Sequence, residues 1–309
     1  MFWRRKKIQE VEKSQGAGTL QPSLPVQVVV KTDLGNIRTN NEDAVLFKKS
    51  EDGLTGKGMM FLVADGMGGH LAGEVASSMA VESVSESYFH HSNGSNVSET
   101  LKQAFIRANK KILDSASFHE QYKGMGTTCT VLVLEGNKLF YAHAGDSRAY
   151  HFRNGILKQI TTDHTYVQEL VNNGSISLED AETHPQRNIL TNAMGTKPEL
   201  KVDSAQFDTE LAAGDRLLVC SDGLYDYFNA KELEQILSGE QLHNVAEFLL
   251  TEAKRRGGHD NISFILAQLG GNRSDLQTGK ETREADTLKH TRDALVPLNM
   301  INNDRSTNS

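Results

Sequence analysis

Three aspartates in this chain directly follow apolar runs, and this pattern limits how the chain can fold. Asp65 follows Met-Met-Phe-Leu-Val-Ala, Asp146 follows Phe-Tyr-Ala-His-Ala-Gly and Asp222 follows Leu-Leu-Val-Cys-Ser. An ionised carboxylate at the end of a buried strand is costly unless it is paired or bound to a metal. Carboxylates that meet at one site also raise one another's pKa. A fold that joins these strand ends therefore calls for a divalent cation.

Taken singly, these aspartates also suit ordinary turns, because Asp-Gly is a common turn dipeptide. Asp65-Gly66 and Asp222-Gly223 have this form, as does Asp52-Gly53. Two more acidic segments, Glu42-Asp43 and Asp260-Asn261, lie beside apolar runs and favour the cation site over isolated turns. Oxygen ligands suit Mg²⁺ or Mn²⁺, whereas no Cys or His pair has the spacing of a Zn²⁺ site.

Arg38 precedes Glu42 and Asp43 by four and five residues, so its guanidinium can reach the same site. Its planar fork suits two oxygens of a phosphate group. The same spacing also suits a salt bridge to Glu42 or Asp43. The residues alone leave both interpretations open.

Short apolar runs rich in β-branched residues recur along the chain and predict many strands. They cover residues 26–31, 43–47, 58–64, 128–134, 138–144, 147–152, 216–220 and 262–268. Glu135-Gly136-Asn137-Lys138 and Arg153-Asn154-Gly155 lie between successive runs and are typical of tight hairpins. The predicted pairing is therefore antiparallel.

Two longer segments, 73–89 and 98–114, have apolar residues at the 3.6-residue period of an amphipathic helix. Asn96, three residues before Glu99, is the predicted N-cap of the second. Further helices are predicted at 165–173, 178–182, 230–238 and 242–256.

The chain has 309 residues, enough for one large domain or two small ones. No aromatic residue follows Phe264, and residues 270–309 are rich in Asn, Thr, Ser, Asp and Arg. Such a segment buries too little apolar surface to offset its ordering entropy. We expect a flexible segment at 1–24, a folded domain at 25–269 and a disordered polar tail at 270–309.

The formal net charge of −7 gives no overall attraction to a phosphate backbone, so nucleic acid is not an expected partner. The longest apolar run, Met59 to Ala64, is far too short to span a membrane. Basic residues Arg4 to Lys7 beside Phe2 and Trp3 suit either contact with an anionic membrane surface or a solvated terminus. Stable membrane insertion is not expected.

The two cysteines, Cys129 and Cys220, lie in apolar stretches and suggest neither a disulfide scaffold nor a thiolate metal site. We expect both in the core. A reducing compartment fits this cysteine content, and no secretory signal is recognisable at the start of the chain. The predicted location is the cytoplasm, and the predicted form is a monomer.

Seven motifs follow one another between residues 28 and 268. They are Asp33-Leu34-Gly35 with Arg38-Thr39-Asn40-Asn41-Glu42-Asp43, Asp65-Gly66-Met67-Gly68-Gly69-His70, Gly126-Thr127-Thr128, Gly145-Asp146-Ser147-Arg148, Asp163-His164-Thr165, Ser221-Asp222-Gly223-Leu224 and Gly258-His259-Asp260-Asn261. This ordered series resembles that of the metal-dependent (PPM, type 2C) serine/threonine protein phosphatases. Residues 164–195, which include His184-Pro185-Gln186-Arg187-Asn188, are similar to the flap of the bacterial branch.

The resemblance implies an α+β fold, a four-layer α-β-β-α sandwich of two antiparallel sheets flanked by helices. It also implies two tightly bound Mn²⁺ or Mg²⁺ ions at one edge. Asp65 would bridge the two ions. The Gly66 carbonyl and Glu42 would serve one ion, and Asp222 and Asp260 would serve the other.

Three further roles follow from the resemblance. Asp43 would act through water, Asp146 would help Asp222 to hold a third, weaker ion, and Arg38 would bind phosphate. The implied reaction is direct attack on phosphorus by a metal-bridging hydroxide, with no covalent phosphoenzyme. The implied substrates are phosphoserine and phosphothreonine proteins, the products of a cognate kinase in a signalling pair.

The chain departs from the family pattern at two positions. Met67 stands where eukaryotic members have a histidine, so the proton for the leaving group is not assigned there, and nearby His70 is the remaining candidate. Asn192 stands where bacterial relatives usually carry arginine, so no phosphate contact is assigned to that position.

Two other functions are compatible with parts of this pattern. A nuclease or nucleotide hydrolase uses the same two-metal chemistry, but the negative net charge and the lack of a basic stripe disfavour it. A non-catalytic phosphoprotein-binding regulator would have no need for the carboxylates. Every matched metal position keeps its carboxylate, which favours an enzyme.

Overall fold

The computed structural model of the protein describes residues 24–50, 57–68, 71–91 and 96–270. The predicted terminal segments lie outside these ranges apart from Leu24 and Gly270, as do the basic run Arg4 to Lys7, the Asp52-Gly53 turn and His70. None of the helices in the described ranges has the length and hydropathy needed to cross a bilayer.

The described strands form two antiparallel sheets. They are β1 (Val26–Asp33), β2 (Asp43–Lys49), β3 (Met59–Met67), β4 (Gly126–Thr127), β5 (Cys129–Glu135), β6 (Lys138–Ala144), β7 (Arg148–Arg153), β8 (Ile156–Gln159), β9 (Asp203–Gln206), β10 (Arg216–Cys220) and β11 (Ile262–Leu269). One sheet has the order β1-β11-β10-β7-β8. The other has the order β2-β3-β5-β6-β9, with β4 paired to the end of β3.

The helices of the described ranges are α1 (Leu71–His91), α2 (Val97–Phe118), α3 (Tyr166–Asn172), α4 (Leu178–Glu182), α5 (Asp222–Tyr225), α6 (Ala230–Leu237) and α7 (Leu242–Arg255), with one 3₁₀ turn at Glu120–Tyr122. Four of them cover the outer faces of the sheets. Helices α1 and α2 pack on the β3 sheet, and α6 and α7 pack on the β10 sheet.

The continuous apolar run of β3 is explained by burial of both its faces. Met60, Leu62 and Ala64 belong to the core under α1 and α2, whereas Phe61 and Val63 belong to the core between the sheets. Successive side chains of a strand point to opposite faces, so a strand inside four layers needs apolar residues at every position. The predicted α-β-β-α sandwich is confirmed.

All eight predicted strands are confirmed, with ends that differ by up to three residues. The six predicted helices are confirmed as well, and the Asn96 side chain caps α2 by accepting a hydrogen bond from the Ser98 backbone. Both hairpins form, and Asn154 and Gly155 take the positive φ angles of 52° and 79° that a two-residue turn requires. Cys129 and Cys220 are buried free thiols.

Asn261 ties the start of β11 to the loop between β1 and β2. Its Oδ1 accepts a hydrogen bond from the Glu42 backbone at 2.9 Å, and its Nδ2 donates to the carbonyls of Leu34 and Asn40. The side chain is 3% exposed. Because β1 and β11 lie in one sheet and β2 in the other, this amide fixes both sheets where their acidic ends meet.

We predict that Asn261→Ala lowers the free energy of unfolding by about 1–3 kcal/mol, since it leaves three backbone groups without their partner. Asn244→Ala is the matched control, because the Asn244 amide is exposed and contacts Gln241. We expect it to change stability by less than about 0.5 kcal/mol. Urea denaturation of the metal-free proteins measures both. Equal midpoints for the two variants would contradict the prediction.

His143 is a fully buried histidine on β6. Its Nδ1 lies 2.8 Å from the Thr130 hydroxyl, its ring centre lies 4.9 Å from that of His164, and its Nε2 has no hydrogen-bond partner. Burial, and then the neighbouring His164, lower the pKa of His143 to about 3. The folded protein therefore keeps this imidazole neutral.

The unfolded chain binds a proton at His143 near pH 6.5, whereas the folded protein resists it down to about pH 3. Stability from this residue is thus fully present above pH 6.5 and is lost as the pH falls towards 3. We predict that wild type loses up to about 1.4 kcal/mol per pH unit relative to His143→Asn in this window. The free energy of unfolding of both proteins is measured against pH in the presence of chelator, and parallel curves would disprove this prediction.

Candidate active site

Five aspartates converge at one end of the sandwich because each lies at the end of a strand. Asp43 and Asp65 are direct partners in the register of β2 and β3. Asp222 follows β10 as the first residue of α5, Asp260 lies just before β11, and Asp146 lies in the turn between β6 and β7.

These carboxylates repel one another strongly. The pKa of Asp65 is raised well above its ordinary value by burial and then by the charges of Asp43, Asp222, Asp146 and Asp260. Burial is also the main cause that raises the pKa of Asp43 to about 8 and that of Asp222 to about 6. Without a counter-charge, the site therefore retains protons at neutral pH.

Side-chain hydroxyls and backbone amides of neighbouring residues hold the acidic residues in place. Ser221 donates its hydroxyl proton to Asp43 Oδ2 at 2.9 Å. Thr128 accepts from the Asp65 backbone N–H at 3.0 Å, and its own N–H donates to the Asp65 carbonyl at 2.9 Å. Sequence reasoning assigned no role to Ser221, Thr128 or Asn261. Their position next to predicted ligands or in the same motifs was the available signal.

Two glycines permit the backbone to approach the site closely. A Cβ on Gly66 would lie 2.1 Å from the Gly73 carbonyl oxygen, and one on Gly223 would lie 1.9 Å from the Asn261 carbonyl oxygen. The Gly66 N–H donates to the Glu42 carbonyl at 3.0 Å. The Glu42 and Gly66 segments are therefore adjacent, as the predicted shared ion requires.

Arg38 lies at the rim of the site with 45% of its side chain exposed. Its guanidinium donates to Asp260 Oδ2 at 2.7 Å and lies 3.7 Å from Glu42 Oε2. The predicted proximity to Glu42 is confirmed. The stronger contact with Asp260 was not predicted, because 222 residues separate the two in sequence.

A basic and aromatic pair, Arg148 with Tyr225, lies near Asp146. Arg148 makes a two-pronged contact with Asp163, with distances of 2.7 to 3.1 Å, and its guanidinium stacks 3.8 Å from the Tyr225 ring centre. Burial raises the pKa of Asp146 well above its ordinary value, and the charges of Asp222 and Asp163 add to this. Asp146 thus shares the electrostatic environment of the other carboxylates.

The flap predicted at 164–195 contains α3 and α4 and borders a cleft of about 290 Å³ next to the site. Met67 lines this cleft from the end of β3. Asn192 is 5% exposed, and its amide exchanges two hydrogen bonds with the Lys201 backbone and contacts His164. Its side chain therefore anchors the flap.

The residues present fit hard divalent cations. All candidate ligands are oxygen atoms, and Asp222 Oδ1 is buried without a hydrogen-bond partner. Within the described ranges, no three His, Cys, Asp or Glu side chains by themselves form a closed metal site. Backbone carbonyls and water also serve as ligands of such ions, so the unpartnered Asp222 oxygen and the repulsion among the carboxylates still suit a cation site.

Known proteins resemble this chain in both sequence and fold. The sequence profile of Protein phosphatase 2C matches residues 38–254. The serine/threonine phosphatase Stp of Listeria innocua is 36% identical over 255 residues, which cover 81% of this chain and 97% of that protein.

Two solved structures extend the comparison. Stp1 of Staphylococcus aureus superposes with a TM-score of 0.74 at 32% identity and covers 84% of this chain and 100% of its own. The catalytic domain of the serine/threonine protein phosphatase PstP, solved in complex with two manganese ions, has a TM-score of 0.68 at 33% identity. It covers 80% of this chain and 99% of its own. This chain belongs to the protein phosphatase 2C family of metal-dependent serine/threonine phosphatases, in its bacterial branch.

Proposed function

We propose that the aspartates at the sandwich edge hold Mn²⁺ or Mg²⁺ ions with which this chain hydrolyses phosphoserine and phosphothreonine in proteins. The observation that carries the proposal is the convergence of five carboxylates, four of which, Asp43, Asp65, Asp146 and Asp222, have pKa values raised by burial and by neighbouring charges. Bound cations would relieve the repulsion within such a cluster.

Two ions would share Asp65. The Gly66 carbonyl and Glu42 would hold one ion. Asp260 and Asp222, whose buried Oδ1 has no hydrogen-bond partner, would hold the other. Asp43, whose Oδ2 already accepts the Ser221 hydroxyl, would act through water.

Asp146 and Asp222 would together hold a third, weaker ion, since the charge of Asp222 already raises the pKa of Asp146. The acidic site and the net charge of −7 disfavour nucleic acid as a substrate.

Bound divalent ions acidify water and neutralise charge on a phosphoryl group. Arg38 would bind two phosphoryl oxygens with its planar fork and orient the phosphorus towards the carboxylate cluster. Its contact with Asp260 holds the guanidinium in place for this role. The Met67 thioether has no proton to give, so Met67 would shape the cleft rather than protonate the leaving group.

We also propose that the substrates are products of a cognate serine/threonine kinase and that the protein acts as a monomer in the cytoplasm. The half-exposed rim at Arg38 suits a phosphorylated loop or terminus of another protein. Hydrolysis of a phosphothreonine peptide, compared with a nucleotide and an oligonucleotide, separates this function from that of a nuclease.

We predict that chelator abolishes hydrolysis of a phosphothreonine peptide and that Mn²⁺ restores it. Asp222→Asn should lower turnover by more than about 100-fold, because it removes a ligand charge. The metal-free variant should melt at a higher temperature than wild type, since burial and repulsion disfavour the Asp222 carboxylate.

Asp114→Asn is the control for this prediction. It makes the same charge change on α2, at an exposed aspartate that pairs with Lys110. We expect turnover within about threefold of wild type, as for surface ion pairs of small energy. Metal-independent hydrolysis, or equal activity of Asp222→Asn and wild type, would contradict the proposal.

We predict that Arg38→Ala lowers kcat/KM by about 10- to 150-fold at saturating Mn²⁺, the effect of a lost charge-assisted hydrogen bond. Arg38→Lys should restore only part of this, since an ammonium cannot make a two-pronged contact. Arg153→Ala is the control. It breaks the ion pair with Asp215 at the end of β7 that lies away from the carboxylates. If Arg38 pairs only with acids, its loss changes Mn²⁺ affinity and stability but leaves kinetics at saturating Mn²⁺ near normal.

A further inference from the structure

Asp163 and His164 are consecutive residues at the base of the flap, and they contact residues on both sides of Asp146 in the sequence. Asp163 holds the Arg148 guanidinium, two residues after Asp146. His164 holds Gly145, the residue before Asp146, through two hydrogen bonds. The His164 N–H donates to the Gly145 carbonyl at 2.7 Å, and the Gly145 N–H donates to His164 Nδ1 at 3.2 Å.

Gly145 is fixed from its other side by Thr128. A Cβ at Gly145 would lie 2.5 Å from Thr128 Cβ, and Gly145 has a φ of +116° that side chains rarely adopt. Thr128 in turn accepts the Asp65 N–H. The turn that carries Asp146 therefore lies between the residue that fixes Asp65 and the imidazole of His164.

The partners of His164 define its protonation state. The Gly145 N–H is only a donor, so Nδ1 must carry a lone pair. Nε2 lies 3.1 Å from Asp203 Oδ2 and carries the proton that it donates there. Burial disfavours the charge of Asp203, but the contacts with His164 and Lys201 hold its pKa below the ordinary value. The imidazole is thus neutral, with its proton on Nε2.

We infer that His164 is a positioning residue that holds the Gly145–Asp146 turn so that Asp146 faces the carboxylate cluster. This inference rests on the proposed role of Asp146 in holding the weaker ion. His164 lies far along the chain from Asp146 and acts through the backbone of Gly145. The other ring nitrogen of His164, Nε2, contacts Asp203 and so links the same ring to β9.

Asn192 connects this contact to the other end of the flap. Its Nδ2 lies 3.0 Å from His164 Nδ1, and its amide bonds the Lys201 backbone in both directions. Both ends of the flap therefore meet at the ring that holds Gly145. A change in the flap base at either end is transmitted to the position of Asp146.

Two substitutions of His164 test the roles of its two ring nitrogens separately. Asparagine in place of His164 keeps an acceptor where Nδ1 lies, for the Gly145 N–H, and loses the contact with Asp203. Glutamine keeps a donor where Nε2 lies, for Asp203, and loses the acceptor for Gly145. A positioning role through Gly145 and a tethering role through Asp203 therefore predict opposite orders for the two variants.

The experiment is calorimetric titration of the metal-free full chain with Mn²⁺, together with turnover of a phosphothreonine peptide as a function of Mn²⁺. We expect His164→Gln to weaken the weaker Mn²⁺ site by about 10- to 100-fold, as for other partners that orient a ligand. His164→Asn should stay within about threefold of wild type. The two tight sites should be retained in both variants.

A double-mutant cycle with Asp146→Ala completes the test. If His164 acts through Asp146, His164→Gln should lower turnover no further in the Asp146→Ala background. Equal Mn²⁺ affinities for the two His164 variants, or a greater loss in His164→Asn, would overturn the inference alone. An Asp146→Ala protein with normal Mn²⁺ binding and turnover would overturn the proposed role of Asp146 as well. If thermal melts show neither His164 variant folded, the residue serves folding and the inference is wrong.

Discussion

Repulsion among the carboxylates at one end of the sandwich is the constraint on which the rest of the structure depends. Burial and mutual repulsion raise the pKa of Asp43, Asp65, Asp146 and Asp222, so this end of the metal-free fold is unfavourable. The stability that offsets it comes from the apolar layers elsewhere. Three buried clusters, one between the sheets and one under each helix layer, supply that stability.

Short polar contacts then fix the acidic residues against their own repulsion. Ser221, Thr128 and Asn261 each satisfy a group on an acidic residue or on its backbone. Because the hydroxyls and amide are neutral, they hold the carboxylates without cancelling the charge that a cation needs. Gly66 and Gly223 allow the close backbone approach that brings these small groups within reach.

The sequence predicted most of this fold because strands inside four layers are apolar at nearly every position. The three missed strands lack that signal: β4 consists only of Gly126 and Thr127, β8 has two apolar residues, Ile156 and Leu157, and β9 has one, Ala205. Strands β8 and β9 lie at sheet edges, where one side of the strand pairs with no neighbour. Their pairing is decided by tertiary contacts rather than by composition.

The carboxylates were predictable for a different reason. Asp65, Asp146 and Asp222 are each the first charge after a buried strand, and Asp43 and Asp260 lie at or just before the start of another strand, so local sequence marks them. The partners of Arg38 were only half predictable, since Glu42 lies four residues away, whereas Asp260 approaches through pairing of β1 with β11. Contacts of this kind depend on strand register, which a single sequence specifies only through the fold as a whole.

Asn192 shows how one departure from the family pattern changes the hydrogen bonds at the base of the flap. A long cation at this position would have to leave the buried base of the flap to reach solvent or phosphate, because an unpaired buried charge is costly. Asparagine stays inside, with its amide satisfied by Lys201 and His164. Under the proposed function, phosphate recognition therefore rests on Arg38, and Asn192 closes the flap base on the ring that contacts Gly145.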